Sequence, residues 1–192
     1  MLPEIDPKAT GAAYYGPLPK GGYELTITGV KNTETSIGKA VVIEYDIAEG
    51  KYKGFYQADY DAQTFEDRWW KGRYYLNLPT GEDPKKDTWS MNKLTAFVSA
   101  LTQSNDKYVY DRDEQHFVGL TVGGLFNLRE YAKDGRTIRI TQLAKVVPVD
   151  VVRSGNFILP ADKLLVKKED APKQLTFDDI MHMDDDELPF GK

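Results

Sequence analysis

The sequence of 192 residues contains no cysteine, which excludes a disulfide framework and any zinc site built on thiolates. Its two histidines, His116 and His182, lie far apart, so we expect no structural metal site. No apolar run approaches the ~20 residues of a membrane-spanning helix, and the N-terminus lacks a basic segment followed by an apolar one. These absences predict a soluble, cytoplasmic protein that does not associate with a membrane.

Catalytic motifs are missing as well. There is no glycine-rich phosphate loop followed by Lys-Ser/Thr, and no nucleophile elbow. Asp59 with Asp61, and Asp111 with Asp113, are carboxylate pairs of the kind that nucleases use to hold metal ions. Both pairs lie in acid-rich stretches without a motif or a partnering histidine, so we interpret them as solvated surface charge. We therefore expect no enzyme activity and no cofactor.

The composition is that of one folded domain with an acidic end. Hydrophobic residues make up 41% and aromatic residues 12% of the chain, which is enough to build a core. Residues 169–192 contain eight acids and two lysines, a net charge of -6, whereas residues 1–168 contain 23 basic and 22 acidic residues. An acid excess confined to one end is typical of an interaction tail. We predict one domain over residues 1–168 and a disordered acidic tail over residues 169–192.

The first part of the domain predicts three antiparallel strands. Residues 1–21 are rich in Pro, Gly and Ala, and read as an irregular arm. Alternating apolar and polar residues predict half-buried strands over Tyr23–Val30 and Lys39–Ile47. A third strand is predicted over Lys53–Tyr60.

The second part predicts one helix and a hairpin. Thr88 or Ser90 can cap the helix, and its apolar residues share one helical face. These residues are Trp89, Leu94, Phe97, Val98 and Leu101. Strands are predicted over Val118–Tyr131 and Thr137–Val147, joined by a turn at Asp134-Gly135. Residues 151–166 are expected to add an edge segment.

Three strands, a helix and a hairpin follow the element order of an OB-fold barrel. The predicted fold class is therefore mainly β: a five-stranded OB-fold barrel with one helix between strands 3 and 4, and a disordered acidic C-terminal tail. The adjacent Gly123 and Gly124 suit the bulge or bend that a barrel corner needs. Other small barrels share this order, so the pattern leaves them open.

One stretch interleaves cations with aromatic rings. It consists of Arg68, Trp69, Trp70, Lys71, Gly72, Arg73, Tyr74 and Tyr75. Single-stranded nucleic acid is bound by cations along its backbone together with flat rings under its bases. Adjacent tryptophans in a strand point to opposite faces, so at most one of Trp69 and Trp70 is expected in the core, whereas in a loop both can be exposed. The stretch is our main candidate for contact with single-stranded DNA, and rings that belong to the core are the alternative.

Further candidates lie at the start of the predicted third strand, on that strand and around the last hairpin; OB-folds bind oligonucleotides along the second and third strands and the loops at either edge. They are Lys51, Lys53, Tyr56, Arg129, Arg136 and Arg139. For any single one of them, an ordinary surface side chain is the competing interpretation.

The chain closes with clustered acids and an apolar tip. These residues are Asp184, Asp185, Asp186, Glu187, Leu188, Pro189 and Phe190. Like-charge repulsion and the lack of a large apolar face predict an extended segment. Its charge can occupy a basic surface, and its tip can enter an apolar pocket of a partner. An acidic solubilising tail is the alternative.

This tip resembles the acidic C-terminal tip of bacterial single-stranded-DNA-binding proteins, in which clustered Asp residues precede an apolar residue, Pro and Phe. The resemblance implies a tail that docks replication and repair enzymes and competes with DNA for the binding groove. In that family the last Phe usually carries the terminal carboxylate, whereas here Gly191 and Lys192 follow Phe190. The family assembles as tetramers, so a homo-oligomer is one alternative here, although the sequence marks no interface.

The body is similar to phage single-stranded-DNA-binding proteins in its strand start at residues 19–24, in Lys51–Phe55 and in a Trp that precedes a helix. Together the two resemblances imply a protein that binds single-stranded DNA with little sequence preference during phage DNA replication, recombination or repair in a bacterial host cell. Two alternatives remain open: a protein-interaction module without nucleic-acid binding, and a recombination mediator that anneals strands.

Overall fold

A computed structural model describes residues 17–36, 38–64 and 66–165. Within these ranges five strands form one antiparallel sheet, ordered β3-β2-β1-β4-β5. The strands are β1 (Gly21–Thr35), β2 (Gly38–Ile47), β3 (Arg73–Asn77), β4 (Thr121–Lys133) and β5 (Arg136–Val147). Three α-helices accompany them: α1 (Phe55–Asp61), α2 (Pro84–Ser104) and α3 (Val149–Ser154). The prediction of a mainly β fold with five strands is confirmed.

The long strand β1 joins the two parts of the sheet because it pairs on both sides. Its first residues, from Gly21 to Thr26, pair with β4, and its residues from Leu25 to Thr35 pair with β2. The register with β2 shifts between Ile27 and Gly29. A bulge of this kind bends a strand and increases its twist. The strand is therefore bent close to the point where it changes partners.

The core lies between the sheet and α2. Phe97 of α2 is buried and contacts Tyr74 of β3 and the ring of Phe117, with ring centroids 6.2 and 5.6 Å apart. Burial of side chains of this size stabilises the fold by about 1.5–3 kcal/mol each. The helix begins after Asp83, not at Thr88 or Ser90, and the Asp83 carboxylate accepts the first free backbone N–H groups.

The hairpin between β4 and β5 forms where the sequence predicts it. Asp134 and Gly135 have φ angles of 51° and 72°, the left-handed values that a two-residue turn with Asp-Gly requires. The β4–β5 register shifts between Leu125 and Phe126, where the extra residue is Ala144 of β5; Gly123 and Gly124 themselves pair regularly with Val147 and Val146.

The prediction of a third strand over Lys53–Tyr60 is wrong. This stretch contains a turn and then α1, because the buried Asp46 carboxylate of β2 accepts the backbone N–H groups of Tyr56 and Gln57 at 2.9 and 3.0 Å. These are first-turn donors, which have no partner inside a helix. The third strand of the sheet is instead Arg73–Asn77. The prediction of a single helix is also wrong, since α1 and α3 are present in addition to α2.

The sheet is open. β3 and β5 are its two edges, and no backbone pairing joins them in the described ranges. The sheet therefore does not form a closed barrel. The predicted edge segment over residues 151–166 begins as α3, and then Lys163 pairs with β4 through hydrogen bonds to Glu130 and Leu128, both 2.8 Å long. Val166 and the acidic tail lie outside the described residues. None of the described helices is long and apolar enough to cross a membrane.

Candidate nucleic-acid interface

Trp69 is exposed on a backbone that is held in place. It comes before β3, and 52% of its surface is accessible. The side chain of Gln63 accepts the backbone N–H of Trp69 at 2.9 Å and donates to its carbonyl at 3.0 Å. Both backbone polar groups are thus satisfied, while the indole ring stays available for contact.

Trp70, unlike Trp69, packs its ring against the rest of the protein. Its ring is half-buried, and its indole N–H lies 3.1 Å from the carbonyl oxygens of Tyr45 and Gly72. It also packs against Tyr60, whose ring lies 4.8 Å from the guanidinium carbon of Arg68. The two adjacent tryptophans therefore have different environments, one as a surface ring and one as an anchor.

Two of the three cations in the stretch from Arg68 to Tyr75 already have carboxylate partners. The Lys71 ammonium lies 2.7 Å from Asp59 Oδ1, and Arg73 Nε lies 3.4 Å from Glu44 Oε1. Glu44 also pairs with Lys31 at 2.9 Å. An exposed pair contributes only about 0–1 kcal/mol, so a phosphate can replace Asp59 beside Lys71 at little cost.

The two tyrosines of the stretch also separate, as alternate residues of a strand do. Tyr74 is 8% exposed and belongs to the core, where burial raises its pKa to about 12. Tyr75 is 42% exposed on the opposite face. Tyr75 can stack on a base, and Tyr74 cannot without repacking the core.

The remaining predicted residues are dispersed. Tyr56 is buried, and burial is the main cause of its raised pKa. Lys53 pairs with Glu49, and the Lys51 ammonium lies 5.4 Å from the ring of Tyr52.

The predicted arginines of the last hairpin lie on β4 and β5, which β2 and β1 separate from β3 in the sheet. Arg139 pairs with Glu130, and Arg129 donates to Gln142 at 3.4 Å. Arg136 is exposed at the hairpin turn. The structure does not bring these arginines into one group with the Trp69 stretch.

Sequence reasoning missed a second group of rings and cations, on α2. Trp89 was assigned to the buried helical face, but it is 55% exposed. The Lys93 ammonium lies 5.3 Å from the centroid of the Trp89 ring and 4.2 Å from that of Tyr74, and it donates to the Tyr75 carbonyl at 2.6 Å. The available signal was the spacing of Trp89 and Lys93, four residues apart on one helix.

One dismissed carboxylate pair does have a histidine partner. His116 Nδ1 lies 2.5 Å from Asp111 Oδ2, and this hydrogen bond is the main cause of a raised His116 pKa. The side chains of His116, Asp111 and Asp113 are all exposed. No three acidic or histidine side chains in the described ranges converge closely enough to hold a metal ion.

A cleft of about 710 Å³ opens beside the far end of β3. Its apolar lining residues are Val41, Leu76, Leu78, Leu94 and Phe117. Across its rim the Asn32 side chain donates to Glu114 at 2.7 Å. No residue of the stretch from Arg68 to Tyr75 lines it, so cleft and stretch are separate surfaces.

The sequence matches no protein-family model and no curated protein.

Proposed function

We propose that the protein binds single-stranded DNA with little sequence preference during phage DNA replication and recombination, without enzymatic activity of its own. The observation that carries this proposal is the exposed Trp69 ring on a backbone held by Gln63, with Arg68 beside it and Tyr75 exposed on β3. Base–aromatic stacking contributes about 1–3 kcal/mol per base and tolerates any sequence. A backbone that is already held in place loses little freedom when a base stacks on the ring it carries.

We further propose that the sheet is an OB-type barrel opened between β3 and β5. The order β3-β2-β1-β4-β5, the pairing of β1 on both sides and the position of α2 between β3 and β4 support this assignment. OB-folds are partly open and bind oligonucleotides on the face of strands 2 and 3. On the corresponding face here, Tyr75 of β3 pairs in register with Val42 of β2, and Arg73 with Glu44.

A titration of the full-length protein with oligo-dT tests the proposal. Binding should quench tryptophan fluorescence, and the logarithm of the affinity should fall with the logarithm of the salt concentration by ~0.7 per phosphate neutralised. Trp69→Ala should weaken binding roughly 5- to 150-fold, the equivalent of one stacked base. Ile158→Ala, which removes an even more exposed apolar side chain elsewhere, should leave affinity unchanged. Equal affinity for duplex and single strands would contradict the proposal.

We propose in addition that Asp184, Asp185, Asp186, Glu187, Leu188, Pro189 and Phe190 recruit replication or recombination proteins. The support is in the sequence: acids, Leu, Pro and Phe occur in this order at the end of a segment with a net charge of -6. A peptide of residues 178–192 should bind the partner enzyme, and the same peptide with Phe190→Ala should bind it much more weakly.

The alternative of a protein-interaction module has one observation in its favour, the apolar cleft lined by Val41, Leu76 and Phe117. Leu78→Lys would place a charge in that lining at a residue that is only partly buried. A variant that remains folded and binds oligo-dT with unchanged affinity would separate the cleft from DNA binding.

A further inference from the structure

We propose that Trp89 and Lys93 of α2 form a second nucleotide-binding position at the free edge of β3, where Trp89 stacks on a base and Lys93 binds the adjoining phosphate. The inference rests on the proposed binding of single-stranded DNA and extends it from the residues before β3 to the middle of that strand and α2. The ligand it implies is an anionic nucleotide unit of a single strand.

Lys93 is a cation without a counter-charge. Its ammonium group has three N–H donors, of which one is used by the Tyr75 carbonyl. In the part of the chain that the structure describes, no carboxylate pairs with it. By contrast, Lys71, Arg73 and Arg139 of the predicted site each lie within 4 Å of an Asp or Glu oxygen.

The surroundings of Lys93 favour an incoming anion. Its side chain is half-buried, and burial followed by the like charge of Lys163 lowers its pKa. Charge–charge interactions are stronger where water is partly excluded, so an anion placed here would be bound more strongly than at an exposed lysine. A phosphate would satisfy the remaining ammonium donors and offset the repulsion from Lys163.

Trp89 supplies the flat ring. It precedes Lys93 by four residues and therefore lies on the same side of α2. The Lys93 ammonium, 5.3 Å from the indole centroid, restrains a ring that is otherwise 55% exposed. A cation for the phosphate and a ring for the base thus lie side by side, the combination with which other proteins bind single strands.

The new position continues the first one. Lys93 binds the carbonyl of Tyr75, the exposed ring of β3, and Trp69 precedes Tyr75 by six residues, at most ~20 Å of extended chain. Lys93 lies over the Tyr74 ring, on the face opposite to the Tyr75 ring, so a single strand that passes Trp69 and Tyr75 crosses the free edge at the Tyr75 carbonyl to reach Lys93 and Trp89. The longer track predicts a larger site size than the Trp69 stretch alone would give.

Oligo-dT chains of increasing length, titrated into full-length protein, test the inference. Trp89→Ala should leave the affinity for the shortest chains that bind unchanged and weaken that for long chains roughly 5- to 150-fold. Lys93→Gln, which keeps a donor for the Tyr75 carbonyl, should reduce the magnitude of the salt slope by ~0.7, whereas Lys93→Arg should preserve it. Met91→Ala, at another exposed apolar residue of α2, is the matched control and should change nothing.

The outcomes separate the two proposals. If the wild-type protein fails to bind oligo-dT, the proposed function is wrong, and so is the second nucleotide-binding position. If Trp69→Ala weakens binding while Trp89→Ala and Lys93→Gln change neither the affinity for long chains nor the salt slope, only the second position is wrong. If Trp89→Ala lowers thermal stability, Trp89→Phe replaces it, and oligo-dT should then quench less of the total fluorescence than in the wild type. Thymidine monophosphate should bind far more weakly than long chains; equal affinity would indicate a site for free nucleotides.

Discussion

Because Gly72 has no side chain, the stretch from Arg68 to Tyr75 can lie against β2. A Cβ atom at this position would be 2.3 Å from the Tyr45 carbonyl oxygen and 2.9 Å from the ring of Tyr56. The Gly72 carbonyl also accepts the Tyr45 backbone N–H at 2.9 Å. The sequence suggests only that a glycine here permits a bend. The structure gives a different reason, close approach of two backbones.

Gly72→Ala should therefore destabilise the protein by about 1–3 kcal/mol, the usual cost of forcing an extra methyl group into a packed site. Because the displaced segment carries Trp69, oligo-dT affinity should fall as well. Urea unfolding measures the first effect. Gly21→Ala is the matched control, since a Cβ there meets only ordinary contacts at 3.6 Å. Equal stability of the two variants would show that the close contact at Gly72 relaxes freely.

Residue-scale expectations succeeded where the governing rule is local. The different environments of Trp69 and Trp70 follow from alternation along an extended chain. The same rule separates Tyr74 from Tyr75, although both were candidates for contact with DNA. The ion pairs could not be foreseen, because the partners of Lys71 and Arg73 come from α1 and β2. Sequence identifies cations, but only the fold determines which ones are already neutralised.

Among the secondary-structure elements, α1 depends on one buried side chain of β2. Asp46 accepts the backbone N–H groups of Ile47, Tyr56 and Gln57 at 2.7, 2.9 and 3.0 Å. The turn and first residues of α1 contain three aromatics, at Tyr52, Phe55 and Tyr56, which also suit a strand. The group that decides for a helix lies ten residues before Tyr56, so a local pattern does not reveal it.

Asp46→Asn should destabilise the protein by about 1–3 kcal/mol, because the amide NH2 group that replaces one carboxyl oxygen cannot accept a backbone N–H. Burial is the main cause of an Asp46 pKa raised above 3.8 in the folded protein. A raised folded-state pKa contributes stability that is present below the unfolded value and is lost as the pH rises through the folded value. The destabilisation by Asp46→Asn should therefore be largest at about pH 3, below the unfolded value, and should shrink as the pH rises through the folded value. Urea unfolding across this range measures the trend, and a destabilisation that grows with pH would contradict the prediction.

The other elements show which signals carry over from sequence to structure. β2 and the β4–β5 hairpin were predicted from alternation and from Asp134-Gly135, both local signals. The apolar face of α2 was correct at Phe97 and Leu101, which are buried, and wrong at Trp89. Trp89 lies in the first half of α2, where the helix reaches the free edge of β3 and an apolar residue is left at the surface.

At the scale of the whole molecule, closure of the sheet is the feature that sequence predicted least well. Pairing between β3 and β5 would join strands that are distant in the chain, and no local pattern specifies it. At the β3 edge, Lys93 donates to the Tyr75 carbonyl, and a lysine at an edge strand also discourages pairing with another chain. The same side chain thus protects an edge and supplies the charge of the second nucleotide position.

Charge is distributed unevenly over the chain, with the acid excess at its C-terminal end. Residues 1–168 carry one more basic than acidic residue, and residues 169–192 have a net charge of -6. A tethered anionic segment acts at a high effective concentration on any cationic surface it can reach. Deletion of residues 169–192 should therefore tighten binding to oligo-dT, with a gain that is large at low salt and vanishes as salt screens the competition.

A variant with Leu188, Pro189 and Phe190 changed to Ala is the matched control. It keeps the acids and should bind oligo-dT as the wild type does, because competition for the cations of the interface depends on charge. Fluorescence titrations at two salt concentrations compare the three proteins. If the deletion leaves affinity unchanged at low salt, the tail does not reach the interface. If the Ala variant binds as tightly as the deletion, the apolar tip rather than the charge is the competitor, and an apolar surface such as the cleft would then be its site.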